Sequence, residues 1–85
     1  MANLIHARDF IDMILQCSRS LECAFREDNV LAEMARDFRV GSADDIANLA
    51  HDLLEKIAET RFDRPGVRLL IQEILDAYRN LREIV

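Results

Sequence analysis

The sequence predicts an all-α protein, a small four-helix bundle whose helices are long, short, long and long. Only two glycines and one proline interrupt the 85 residues, so turns are few. Apolar residues recur at helical rather than alternating spacing. With 51% apolar and 32% charged residues, the composition is typical of a globular chain. We expect one domain, residues 1–85, too small for a large internal active site.

The first helix is predicted to begin near Asn3, its N-cap, and to run to about Phe25. Its apolar side chains cover an arc of roughly 200°, about twice the width that one face against a core needs. The arc consists of Phe10, Ile11, Met13, Ile14, Leu15, Cys17, Leu21 and Phe25. Because so short a chain has little surface to cover this arc, we expect these residues to form an interface, with a homodimer as the simplest solution.

The second helix is predicted from about Asp28 to Phe38. When the numbering of the first helix is continued through it, its apolar residues fall almost opposite the first apolar face. We therefore predict a break at Glu27–Asn29, with Asp28 or Asn29 as the new cap. The alternative is one continuous helix that packs on both sides in an oligomer.

The third helix has a strong start signal in "VGSADD", residues 40–45. Gly41 is expected past the end of the second helix because glycine tolerates a positive φ. Ser42 is the predicted N-cap, with Asp45 three residues on as in a capping box, and Asp44 suits the helix dipole. An apolar stripe then runs from Ile46 to Ile57, and no ligand is needed to explain this segment.

The fourth helix is predicted after "FDRPG", with Pro65 in its first turn. Leu69 falls off the apolar stripe of this helix and is expected to be exposed. The stripe consists of Val67, Leu70, Ile71, Ile74, Leu75, Tyr78, Leu81 and Val85.

Charge and hydropathy limit the partners and the location. The net charge of −5 argues against nucleic acid as a default partner, since binding a polyanion depends on clustered cations. No apolar run approaches the ~18–20 residues of a membrane span. The N-terminal "MANLIHARDF" has no apolar core typical of a signal peptide. A cytoplasmic protein that does not bind membranes is expected.

The cysteines and histidines do not predict a metal site or a disulfide. On one helix, Cys17 and Cys23 would lie about 9 Å apart along the axis and about 120° apart around it, too far for a bridge. Together with His6 and His51 they show no metal-ligand spacing. We expect no metal, no cofactor and no catalytic machinery.

Cys23 is nevertheless a candidate reactive residue. It lies between Arg19 and Arg26 along the helix, and guanidinium groups close to a thiol favour its thiolate form. A small residue at a helix boundary is the simpler interpretation.

His51 is predicted to be exposed. The segment "LAHDL", residues 49–53, resembles the acceptor segment of histidine phosphotransfer domains, which are four-helix bundles with an exposed histidine. That resemblance implies a phosphoryl-accepting role for His51. The family pattern places a lysine and a glycine where this chain has Leu54 and Glu55, and a carboxylate there would repel a phosphoryl group.

Residues 30–58 offer a second alternative, a helix-turn-helix in a sequence-specific DNA-binding regulator. The segment between its helices is longer than usual. Its recognition helix would begin with Asp44 and Asp45, where contact with DNA calls for Arg, Asn or Gln. The preferred hypothesis is therefore a non-enzymatic protein that binds another protein or itself, as an adaptor, regulator or chaperone-like protein.

Overall fold

The structure of the chain, a computed structural model, describes residues 7–82 and the side chains of residues 7–81. Its elements are α1 (Ala7–Ala24), α2 (Asn29–Asp37), α3 (Ala43–Ile57) and α4 (Pro65–Arg82). Their lengths of 18, 9, 15 and 18 residues confirm the predicted long, short, long and long bundle. No strand occurs between residues 7 and 82. The predicted cap Asn3, together with His6 and Val85, lies outside the described residues.

The helices enclose one apolar core, to which all four contribute. α1 packs against α2 and α4, and α3 packs against α4 with a smaller contact to α2. The largest fully buried apolar side chains of the described chain are Phe25, Phe38, Leu21, Leu53, Ile57, Ile71 and Ile74. Burying one such side chain stabilises the fold by about 1.5–3 kcal/mol. Leu69 is 61% exposed, as its position off the stripe of α4 predicts.

A sharp turn separates α1 from α2. The backbone N–H of Asp28 donates to the carbonyl of Phe25 at 2.8 Å, and Asp28 itself is extended, with φ −127° and ψ 107°. Its carboxylate then accepts from the backbone N–H of Leu31 at 3.0 Å, as an N-cap does. The predicted break is confirmed, and the alternative of one continuous helix does not describe this chain.

The start of α3 has the predicted capping box. The Ser42 hydroxyl accepts from the N–H of Asp45, and the Asp45 carboxylate accepts from the N–H of Ser42, both at 3.2 Å. The reason proposed for Gly41 is wrong, because neither described glycine has a positive φ. A Cβ at Gly41 would lie 2.9 Å from the Cβ of Asp45, so glycine is needed for the close approach of the chain to the capping box.

The left-handed backbone position lies instead after α3, at Glu59, whose φ is 68°. Thr60 follows, and both its N–H and its hydroxyl donate to the carbonyl of Ile57, at 2.9 and 2.6 Å. These bonds satisfy a carbonyl in the last turn of α3, where helical partners end. The chain then continues into a loop, residues 58–64, that leads to α4.

Among the helices of residues 7–82, none combines the length and the apolar character that spanning a bilayer requires.

Candidate functional site

The predicted interface of α1 is divided between the core and the surface. Five of its eight side chains are buried by the chain itself, namely Phe10, Ile14, Cys17, Leu21 and Phe25. Ile11 is 56% exposed, and Met13 and Leu15 are partly buried. The chain therefore covers most of the arc that the sequence assigns to a partner, and a partner can reach only the other three side chains.

Two of these three line a small concave surface, the apolar groove, between the first half of α1 and the α2–α3 turn. The groove has a volume of about 90 Å³ and is lined by Phe10, Ile11, Ile14, Leu15, Phe38, Arg39, Gly41 and Ile46. Val40, between two of the lining residues, is 82% exposed. An apolar depression lined by an exposed aliphatic side chain, with a second one adjacent in sequence, favours an interaction surface.

A polar cluster of Ser18, Glu22, Arg36 and Arg39 joins α1 to the end of α2. Ser18 is fully buried and donates to the carbonyl of Ala35 at 2.6 Å. If α2 continued, the backbone N–H of Arg39 would donate to this carbonyl. Here it donates to the backbone carbonyl of Arg36 instead. The Nε of Arg39 donates to the Ser18 hydroxyl at 3.0 Å. Ser18 thus satisfies a carbonyl at the end of α2 and uses both of its hydrogen-bonding roles.

The carboxylate of Glu22 completes this cluster. One oxygen accepts from Arg36 at 3.1 Å and the other accepts from Arg39. The hydrogen bond from Arg36, together with that from Arg39, lowers the pKa of Glu22 from its ordinary value. Both guanidinium groups are thus held by acceptors within the chain.

A larger concave surface, the arginine groove, lies at the other end of α1, where the α1–α2 turn meets the α3–α4 loop. Its volume is about 360 Å³, and it is lined by Cys23, Ala24, Arg26, Glu27, Arg61, Phe62, Arg64 and Val67. Cys23 is exposed. A shallower depression next to it shares Cys23 and Arg26 and adds Arg19 and Glu22.

An aromatic pair connects this groove to the core. The ring of Phe62 packs edge-on against the buried Phe25, with centroids 5.6 Å apart and planes at 81°. The guanidinium carbon of Arg61 lies 5.0 Å from the centroid of Phe62, and the same side chain forms an ion pair with Glu27. The cation–π contact and the ion pair both restrain Arg61 across the groove.

Two other arginines of the groove are not held in this way. Within residues 7–82, neither Arg26 nor Arg64 has a side-chain hydrogen bond or an ion pair, and both are exposed. The nearest acid in sequence to Arg64 is Asp63, which accepts from Arg68 at 2.9 Å. That hydrogen bond lowers the pKa of Asp63 from its ordinary value. The groove therefore presents two guanidinium groups without an acidic partner in the described part of the chain.

The two cysteines lie in different environments. The Sγ of Cys17 is 4.0 Å from a carboxylate oxygen of Glu73, inside the contact between α1 and α4. Burial, and then the charge of Glu73, raise the pKa of the Cys17 thiol. Cys17 is therefore a core residue with little thiolate character, whereas Cys23 is accessible at the arginine groove.

His51 is exposed on α3, as predicted. The same helix exposes Asp44, Asp45, Asp52 and Glu55, so the surface offered by the second helix of the helix-turn-helix alternative is acidic. Among the described residues no three His, Cys, Asp or Glu side chains lie together as metal ligands would.

The sequence singles out Cys23 together with Arg19 and Arg26, but it did not predict the part of the groove that comes from "RFDR", residues 61–64. The signal that could have identified this segment is a pair of arginines beside an aromatic residue in a short loop.

No family model matches the chain, and neither does a curated protein or a solved structure.

Proposed function

We propose that the protein acts without catalysis, by contact with another protein, and that this contact is a homodimer formed through the accessible part of α1. The observation that carries the proposal is the exposure of two aliphatic side chains. Ile11, which lines the apolar groove, is 56% exposed, and Val40, which lies between two lining residues in the sequence, is 82% exposed. Such a protein would serve as an adaptor, a regulator or a chaperone-like protein.

Two-fold symmetry suits this surface because the exposed side chain of Ile11 is itself part of the lining of the groove. In a symmetric pair, Ile11 of one protomer can enter the groove of the other, and the reverse contact follows from the symmetry. Ile11 and Leu15 are four residues apart and therefore lie on one side of α1. Full burial of an aliphatic side chain is worth about 1.5–3 kcal/mol, and the symmetry doubles each contribution.

The expected location is the cytoplasm. Cys17 and Cys23 are free in the structure, and thiols remain reduced in that compartment.

The mass of the protein in solution tests this proposal. Light scattering on the natural chain should give twice the 9.8 kDa of one chain at high protein concentration. Ile11→Asp and Val40→Asp should each give a folded monomer, because a buried unpaired carboxylate is costly at an interface. The matched control is Leu69→Asp, at the 61% exposed aliphatic residue of α4, and it should remain dimeric.

Circular dichroism of each variant distinguishes a lost contact from a lost fold. A natural chain that is monomeric at every concentration would contradict the homodimer. A dimer that Leu69→Asp breaks and Ile11→Asp leaves intact would place the contact on α4 and reject the role of α1.

A further inference from the structure

We propose that the arginine groove binds a carboxylate-rich segment of a partner protein. The groove is a surface separate from the proposed dimer contact. Ile11 and Cys23 are twelve residues apart on α1, which corresponds to about 18 Å along the helix axis. The two contacts can therefore form at the same time.

The charge of the groove is opposite to that of the chain. Its lining has three arginines and one glutamate, whereas the whole chain has a net charge of −5. Arg61 is occupied by Glu27, so the excess positive charge lies on Arg26 and Arg64. A planar guanidinium matches a carboxylate through two parallel hydrogen bonds, and clusters of such groups recognise acidic motifs.

The carboxylates at the groove favour a short acidic peptide over a nucleic acid. Glu27 lines the groove, and Asp63 lies beside two lining residues, so a polyanion that extends past the groove would meet carboxylates. Double-stranded DNA has a charge about every 1.7 Å of its axis and cannot avoid them. The half-buried ring of Phe62 gives the methylene groups of an acidic side chain an apolar surface to contact.

Binding of a fluorescein-labelled hexaglutamate, measured by fluorescence anisotropy at low ionic strength, tests the proposal directly. We expect saturable binding that weakens as salt is added, and no binding of a hexaglutamine of the same length. Arg26→Glu and Arg64→Glu should each raise the dissociation constant about tenfold or more. The matched control, Arg79→Glu, makes the same change in net charge on an exposed arginine of α4 and should bind like the natural chain.

The exposed thiol in the groove gives a second readout that needs no variant. Alkylation of Cys23 by iodoacetamide, which is uncharged, should slow about threefold or more when hexaglutamate is bound, because the peptide covers the thiol. The buried Cys17 should stay unmodified in both samples and so report that the fold is intact.

The other outcomes overturn the proposal. The groove is rejected as the site if hexaglutamate does not bind or if it leaves the alkylation rate of Cys23 unchanged. It is also rejected if Arg79→Glu weakens the binding as much as Arg64→Glu does. Tighter binding of a single-stranded oligonucleotide or of inorganic phosphate at the same arginines would assign the groove to phosphate groups. The Arg64→Glu variant should keep the mass of the dimer. If this variant were monomeric, the occupant of the arginine groove would be a second copy of the chain. A failed dimer test leaves this peptide test unaffected.

Discussion

The polar cluster and the arginine groove each contain two arginines to compare, and these pairs differ in what their guanidinium groups contact. Arg36 and Arg39 of the polar cluster share the carboxylate of Glu22, and Arg39 also reaches a buried hydroxyl. Arg26 and Arg64 of the arginine groove have no such acceptor within residues 7–82.

This difference separates a structural role from a binding role for the same type of residue. In the polar cluster the acceptors come from the chain, so the arginines fix α2 against α1. In the groove, Arg26 and Arg64 have no such acceptor among the described residues, so these two arginines can bind an external anion with little competition.

The largest effect is expected at Ser18. Ser18→Ala removes a fully buried hydroxyl, so the carbonyl of Ala35 loses a donor and the Nε of Arg39 loses an acceptor. Buried groups left without a partner cost about 1–3 kcal/mol, and the free energy of unfolding should fall by that amount. Urea denaturation measures it.

Ser20→Ala is the matched control, because Ser20 is exposed on the same helix. It should change the free energy of unfolding by less than about 0.5 kcal/mol. Equal effects of the two variants would mean that the polar cluster does not hold α2, and the contrast with the groove would then have no basis.

The comparison also shows how far the sequence predicts this molecule. The four helices, the break near Asp28 and the capping box of Ser42 follow from local signals, because a cap and the helix that it starts are neighbours in sequence. The exposure of Leu69 and His51 follows from helical periodicity in the same way.

The contacts between helices did not follow from such signals. The arc of α1 predicted too large an exposed surface because the wrapping of α2 and α4 around α1 depends on tertiary packing. The arginine groove combines Arg26, in the turn after α1, with Arg64, 38 positions later, and no local pattern relates them. Ser18 gave no signal either, since its importance lies in the carbonyl of Ala35, which only the packing of α2 brings near.

A smaller effect, of opposite sign, is expected in the loop that carries the groove. Glu59 has a φ of 68°, a conformation that costs a non-glycine residue about 1–2 kcal/mol. Glu59→Gly should relieve this cost and, after the greater entropy of glycine in the unfolded chain, raise the free energy of unfolding by roughly 0.5–1 kcal/mol. Urea denaturation again measures the change.

Glu55→Gly makes the same substitution at an exposed position within α3, where the backbone is helical. It should lower the free energy of unfolding by about 1 kcal/mol. If both glycines destabilise the protein, the backbone at Glu59 is not strained, and the loop owes its shape to other contacts.

The smallest effect concerns the charge of Glu22, whose side chain is 31% exposed and therefore partly screened by water. Its pKa is lowered in the folded state by the hydrogen bonds from Arg36 and Arg39. The stabilisation is therefore complete above the ordinary value of 4.5 and is lost as the pH falls through the lowered value. Glu22→Gln should be less stable than the natural chain at neutral pH, and this difference should disappear in acid.

Urea denaturation of both proteins, from neutral pH to well below 4.5, measures that difference. The control is Glu33→Gln, which removes one exposed carboxylate from α2 without breaking an ion pair between described residues. A Glu22→Gln difference that persists unchanged in acid would show that the amide loses packing or geometry rather than charge. The two arginines of the polar cluster would then be held by hydrogen bonds alone, and only the arginine groove would depend on electrostatic attraction.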